Sequence, residues 1–302
     1  MHKGVNVRLS LKQHPALTTR FPMFQNDLLH GKRVLVTGGG TGLGKSMGHR
    51  LVELGADVVI CGRREQVLSE TAAEFNSVRD GCARWHVCDI RDPEAVAAMV
   101  DTVWNDAPLD ALLNNAAGNF IAKSETLSHR AVDAVLSVVL HGTTYVTLAC
   151  GRRWLAEKRP GNVLSILTTY ASTGSAYVVP SAMGKAGILA MTRSLAVEWG
   201  GRGIRLNAIA PGPFPTEGAW KRLFPEGMAE KRMLSRIPLG RVGAHQELAD
   251  LTAFLLADQS GFINGETVTI DGGEWLKGAG QFSMMEELTD EMWEHMKQQG
   301  KG

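Results

Sequence analysis

The sequence predicts an α/β fold: a doubly wound, seven-stranded parallel sheet with helices on both faces. Three observations predict it. Seven short runs of β-branched and apolar residues recur along the chain, and helical patterns of ten or more residues separate nearly all of them. A glycine-rich turn follows the first run and opens the first helix. Short apolar strands joined by helical crossovers belong to a parallel sheet covered on both faces.

The predicted strands are, in order, Arg33–Thr37, Asp57–Cys61, Ala83–Cys88, Asp110–Asn114, Asn162–Leu167, Ile204–Ile209 and Thr267–Ile270. The glycine-rich turn after the first leads into a helix reaching about Leu54. No internal repeat, low-complexity stretch or linker divides the chain, so residues 31–275 read as one domain. An N-terminal arm (1–30) precedes it and a C-terminal tail (276–302) follows. Two stretches leave the alternation. The segment 213–238 carries Pro213, Pro215, Pro225 and Pro238, and a long irregular segment in a compact domain is usually functional, here a lid. In the tail, Met285, Leu288, Met292 and Met296 fall at helical spacing, which predicts a helix packed on the domain.

Composition narrows the function classes. Of 302 residues, 44% are hydrophobic and 21% charged, and the formal net charge is +1, which favours neither nucleic acid nor a membrane surface as partner. A membrane-spanning helix needs about 18 or more apolar residues. The longest apolar stretch, Ala131 to Cys150, is broken by Asp133 and His141. The four cysteines form no CxxC pair and read as free thiols of a reducing compartment. No cluster has metal-ligand spacing. The first 26 residues hold Lys3, Arg8, Lys12 and Arg20 but no acid. His14-Pro15 and Phe21-Pro22 interrupt any amphipathic helix there. A basic arm on a cytoplasmic protein is the expectation, with a transit peptide to the mitochondrial matrix as the alternative.

The turn reads Thr37-Gly-Gly-Gly-Thr41-Gly-Leu-Gly44-Lys45-Ser46. A strand before it and a helix after it suit phosphate binding, because the helix N-terminus offers unpaired N–H donors and the positive end of its dipole. Gly39-x4-Gly44-Lys45-Ser46 satisfies the pattern of a nucleoside-triphosphate loop, and the same residues fit T-G-x-x-x-G-x-G. Context separates the two. A triphosphatase needs a strand ending in a magnesium-binding acid, whereas the fourth strand runs into Asn114-Asn115-Ala-Ala-Gly118. The second strand ends at Arg63-Arg64, about where a dinucleotide fold meets the adenosine ribose. An acid there would pair with the 2′-hydroxyl of NAD, and guanidinium favours the 2′-phosphate of NADP.

Taken together, TGGGTGLG at 37–44, CDI at 88–90, NNAAG at 114–118, NAIAPGP at 207–213 and INGETVTIDGG at 263–273 resemble the short-chain dehydrogenase/reductase family. The resemblance implies a Rossmann-type oxidoreductase. It carries the cofactor site onto Gly38, Thr41, Gly42, Leu43, Gly44, Arg63, Arg64, Asp89, Asn115, Lys185, Pro211, Gly212 and Phe214, with NADP(H) as the cofactor.

The chain departs from the family at one point. Where the family has Tyr-x-x-x-Lys, this sequence has Ser181-Ala-Met-Gly-Lys185. A serine hydroxyl is far less acidic than a phenol, whose reference pKa is roughly 10, and cannot simply replace it. The family's active-site serine falls at Thr168, and Tyr170 stands two residues on, at the carboxyl edge of the sheet; Tyr177 is a second candidate phenol.

The combination of NNAAGNF (114–120), TTYASTGS (168–175) and VVPSAMGKAG (178–187) resembles the mitochondrial-type 2,4-dienoyl-CoA reductases. That branch implies NADPH-dependent reduction of a dienoyl-CoA thioester in unsaturated fatty-acid oxidation. Tyr170 and Asn119 would stabilise charge on the thioester oxygen, Lys185 hold the nicotinamide ribose, and Ser181 orient Lys185 or a nearby phosphate or hydroxyl. Arg91, Phe120, Ser128 and Arg222 would line the acyl-CoA site, and a homotetramer is expected. The branch's asparagine in the fourth helix is His141 here, which opens the proton route to question. Two other functions fit the same motifs: another carbonyl or enoyl-thioester reductase, and a catalytically inactive NADP-binding sensor or scaffold.

Overall fold

Successive side chains of a strand point to opposite faces, and here each face has its own core. In β1 (Arg33–Thr37), Val34 and Val36 join one hydrophobic cluster while Leu35 joins the other. The computed structural model describes residues 24–216 and 233–299. The remaining strands are β2 (Asp57–Gly62), β3 (Ala83–Val87), β4 (Ala111–Asn114), β5 (Gly161–Ile166), β6 (Ile204–Pro211) and β7 (Thr267–Ile270). All seven pair in parallel in the order β3-β2-β1-β4-β5-β6-β7. The predicted strands are all present, with ends displaced by one or two residues. β6 runs on to Pro211, and β4 begins after Asp110, whose carboxylate accepts from the Arg33 amide at 2.8 Å.

One face is covered by α1 (Gly42–Glu53), α2 (Glu65–Val78) and α7 (His245–Leu256), which bury Met47, Leu51, Phe75 and Leu248 against it. The other carries α3 (Pro93–Asp106), α5 (Thr143–Ala156) and α6 (Val179–Gly200), with Val103, Trp154 and Trp199 in the core. The chain reverses strand order between β1 and β4. A crevice therefore opens at the carboxyl ends of these strands, where doubly wound sheets take their ligands.

Between β4 and α5 lie α4 (His129–Leu136) and a π-helical turn (Ser137–Gly142). With α5 they make one continuous helix, His129–Ala156, long and apolar enough by length and composition to cross a membrane. It is instead a wall of the domain, burying Val135, Val139, Val146, Cys150 and Trp154.

The tail corrects the expectation of a packed helix. α8 (Glu274–Ala279) is tied to the body, since the Lys277 ammonium donates to the Ser235 carbonyl at 2.6 Å and pairs with Glu286 at 2.6 Å. α9 (Asp290–Gln299) is exposed along its whole length, Met292 at 49% and Met296 at 44%. Met292, Trp293 and Met296 are exposed with the charged Asp290, Glu291, Glu294 and Lys297, whereas Met285 and Leu288 of the same stripe are half-buried before the helix begins.

Candidate active site

A cavity of about 750 Å³ fills the crevice. At one end is the glycine turn. Gly38 and Gly42 have φ of +64° and +56°, values that glycine adopts without a Cβ penalty. A Cβ at Gly44 would overlap the Asn115 side chain and the Gly38 carbonyl. The Asn115 amide donates to the carbonyls of Thr37 and Gly38 at 3.0 and 3.2 Å, so Asn115 braces the turn from beneath. Thr41 caps α1 without a side-chain hydrogen bond, which leaves the first N–H groups facing the crevice. Lys45 points away and pairs with Glu74 at 2.5 Å. The lysine of the triphosphate pattern is thus spent on a neighbouring helix.

Arg63 and Arg64 border the adenosine end. Both are exposed, and neither has an ion-pair or hydrogen-bond partner among the described residues. Asp89 and Arg91 lie beside them and engage each other: the Arg91 Nε donates to both carboxylate oxygens, at 2.9 and 3.0 Å. That hydrogen bonding, with the nearby Arg63 charge, holds the Asp89 carboxyl below the usual range. The site keeps one acid among three guanidinium groups.

The reacting end is built by β5 and α6. β5 ends at Ile166, and a 3-10 turn, Thr169–Ala171, swings Tyr170 over the cavity. Ser181 and Lys185, one helical turn apart on α6, face the same space. The Tyr170 hydroxyl lies 3.1 Å from Ser181 Oγ, and the Asn119 amide donates to it at 3.5 Å. Lys185 is 7% exposed and donates to the Ile166 carbonyl. Burial lowers its pKa to about 8. Thr168 Oγ1 is buried with no partner, a free hydroxyl on the cavity wall.

Most of the site residues expected from sequence converge here. The cavity is lined by Gly38, Thr41, Gly42, Leu43, Arg63, Arg64, Asp89, Arg91, Asn115, Asn119, Tyr170, Ser181, Lys185, Pro211 and Gly212, with Gly44 just beneath the turn. The others stand elsewhere. Phe214 packs its ring on Gly243 and lines a separate small hollow, because the loop after β6 turns back toward α7. Ser128 is the N-cap of α4, its Oγ accepting from the Ala131 amide at 3.2 Å. Phe120 is exposed outside the cavity wall, and Tyr177 is 58% exposed with its backbone left-handed at φ +66°. Tyr177 contributes only its carbonyl, which accepts from the Ala122 amide at 3.0 Å, so Tyr170 alone offers a phenol to the site. Arg222 lies outside the described residues, as does most of the predicted lid. His141 is exposed beside Tyr145, and its helix lines the cavity with Ala134 and Val138, so this side chain does not enter the site.

Cys61, Cys88 and Thr216 are among the lining residues that escaped sequence reasoning. Cys61 and Cys88 border the cavity at the ends of β2 and β3, and burial pushes the Cys88 thiol up to about 11. Their strand-end positions were the available signal. Thr216, five residues beyond Pro211, closes over the glycine turn.

This arrangement defines a class. The family model described as Enoyl-(Acyl carrier protein) reductase matches residues 38–274, and the chain belongs to the short-chain dehydrogenase/reductase family. Within that family it is 44% identical over 247 residues to a Bacillus subtilis protein named probable 2,4-dienoyl-CoA reductase [(2E)-enoyl-CoA-producing], covering 81% of this chain and 97% of that one. It is 45% identical over 273 residues to an uncharacterized oxidoreductase of Caenorhabditis elegans, covering 88% and 87%. Among solved structures, a short chain dehydrogenase from Bacillus anthracis aligns with a TM-score of 0.75 and 39% identity, over 82% of this chain and 98% of that one. The chain is an oxidoreductase of this family, which implies a nicotinamide cofactor. Its residues fit one: a side-chain-free cradle at the turn, unpaired guanidinium groups at the ribose end, and a buried lysine with an orphan hydroxyl at the other.

Proposed function

We propose that this chain reduces 2,4-dienoyl-CoA thioesters with NADPH in unsaturated fatty-acid oxidation. One observation carries the reading: the phenol stands on the turn after β5, within 3.1 Å of Ser181 and 3.5 Å of the Asn119 amide. In a simple ketone reduction the phenol must hand its proton to the carbonyl oxygen, and a lysine one turn away on its own helix acidifies it. Here the phenol has left the lysine's helix. It is placed to donate a hydrogen bond together with Asn119 to an oxygen that accumulates charge, as the thioester oxygen of a conjugated acyl group does.

Reduced nicotinamide, when bound, supplies the hydride to the far end of the conjugated system. Tyr170 and Asn119 receive the developing charge on the thioester oxygen. When the phenol donates to that oxygen, the Ser181 hydroxyl is free to donate to the phenol oxygen, which strengthens Tyr170 as a donor. Lys185 would hold the ribose hydroxyls of the bound cofactor and add positive potential behind the phenol. A water delivers the proton to carbon. The relatives named dienoyl-CoA reductases support the substrate class.

The state of Lys185 predicts a pH profile. Its ordinary pKa of 10.5 falls to about 8 through burial, so the folded chain holds this proton less tightly than the unfolded one. Its contribution to stability is therefore present above about 10.5 and lost as pH falls to about 8. The catalytic charge behaves oppositely. kcat/KM is expected to fall as pH rises through about 8, and Lys185→Met abolishes that limb along with most activity. A profile flat from pH 7 to 9.5 would remove Lys185 from this role.

Arg63 and Arg64 support NADP over NAD. Hydrogen bonds to a charged partner contribute about 1.5–3 kcal/mol, so Arg63→Ala/Arg64→Ala should raise KM for NADPH about 10- to 100-fold and leave NADH nearly unchanged. The deciding assay is oxidation of NADPH with 2,4-hexadienoyl-CoA beside crotonyl-CoA and acetoacetyl-CoA. Dienoyl turnover should dominate. Faster turnover of either other thioester would assign another reductase activity, and tight NADPH binding without turnover would assign a sensor or scaffold. A homotetramer is proposed with this function, supported by the exposed Met183 and Val197 on α6.

A further inference from the structure

We propose that His245 is a positioning residue for the dinucleotide, a tie that holds the loop after β6 over the glycine turn. His245 is half-buried at the first position of α7. Its Nε2 lies 2.7 Å from the Pro215 carbonyl and its Nδ1 lies 2.8 Å from Ser46 Oγ. A carbonyl has no proton to give, so Nε2 carries the hydrogen and donates. Nδ1 pairs with the Ser46 hydroxyl, which also lies 3.2 Å from the Gly42 carbonyl. One ring thereby joins three elements distant in sequence: α1, α7 and the loop 212–216.

The consequence lies at the cofactor cradle. Pro215 precedes Thr216, whose methyl group stands 3.4 Å from where a Cβ at Gly42 would be. Gly42 opens α1, and Ser46 sits one turn further along it. The imidazole thus fixes the loop at Pro215 to the same helix whose N-terminus faces the cavity. A second tie, the Gly243 amide donating to the Pro213 carbonyl at 3.0 Å, anchors the base of the loop. Tyr170 and Ser181 lie at the opposite end of the cavity. Losing the tie loosens the dinucleotide and leaves the chemical step intact, which separates KM for the cofactor from kcat.

The inference rests on the dinucleotide reading of the cavity. Its test is the Kd for NADPH, read from nucleotide fluorescence on the full chain, with steady-state kinetics and thermal melting of the same samples. His245→Ala is expected to weaken binding about tenfold with kcat within about twofold, the scale of one or two lost hydrogen bonds. Ser46→Ala should cost about threefold. His245→Gln, whose amide donates and accepts in the same sense, should return to within about threefold. Arg50→Ala is the control, because it breaks a 2.7 Å ion pair with Asp250 between the same two helices one turn further on. It should leave Kd unchanged. Wild-type affinity in His245→Ala, or equal losses in Arg50→Ala, would overturn the inference. If His245→Ala does not fold, Ser46→Ala against Arg50→Ala decides by the same criterion. A wild-type chain that binds neither NADPH nor NADH would instead overturn the cofactor reading itself.

Discussion

Tyr170→Phe is expected to lower kcat/KM for 2,4-hexadienoyl-CoA by about 10²- to 10³-fold, the usual cost of losing one donor to a developing oxyanion. The substitution removes a single oxygen and keeps the ring, so the 3-10 turn and the wall of the cavity stay in place. Ser181 then loses its 3.1 Å partner, and the Asn119 amide is left as the lone side-chain donor of the pair. Because the interaction strengthens as charge develops, the loss should appear in kcat, with KM for the thioester changing by less than about threefold. Tyr177→Phe, on an exposed ring outside the cavity, should match wild type. The reverse result, loss in Tyr177→Phe with Tyr170→Phe active, would reassign the phenol.

Trp154→Ala is expected to destabilise the fold by about 3–5 kcal/mol, the range for truncating a large buried aromatic. Trp154 is fully buried at the centre of the α3/α5/α6 face. Its indole nitrogen donates to the Leu109 carbonyl at 2.6 Å, and its ring meets Trp104 edge-on with centroids 6.3 Å apart. The opposite face lies on Gly161, where a Cβ would overlap the indole. Gly161 has no side chain to move into the space, so a cavity is left against the strand end. The loss is read from chemical denaturation. A change under about 1 kcal/mol would mean that the helix relaxes into the gap.

How much of this was legible in the sequence depends on distance along the chain. The central strands stood out because each is a brief, mostly apolar run buried on both faces. Their ends shifted where a hydrogen bond rather than a side chain sets the limit, as at Asp110. Tyr170 could be proposed because it lies four residues past the end of β5. Its partnership with Ser181 could not, since it depends on a turn bending eleven residues of chain back on itself. Phe214 illustrates the converse error: the motif position is occupied, yet the ring follows its loop toward Gly243 and leaves the cavity. His245 was invisible for a related reason. Residues 46, 215 and 245 share nothing in sequence, and only the packing of α1 against α7 makes them neighbours. The exposed α9 marks another limit, because helical spacing of methionines reports a possible face without saying what covers it.

The π turn at Ser137–Gly142 bears on how relatives are compared. Such a turn lodges one residue more than an α turn, so everything after it is rotated by roughly 100° against everything before. Position-by-position alignment assumes that equal counting means equal direction. Across this bulge it does not, unless both proteins carry the same extra residue. A histidine aligned with another protein's inward-facing asparagine is then a matter of phase as much as of substitution. For this helix, the meaningful unit of comparison is the angle around its axis, not the column.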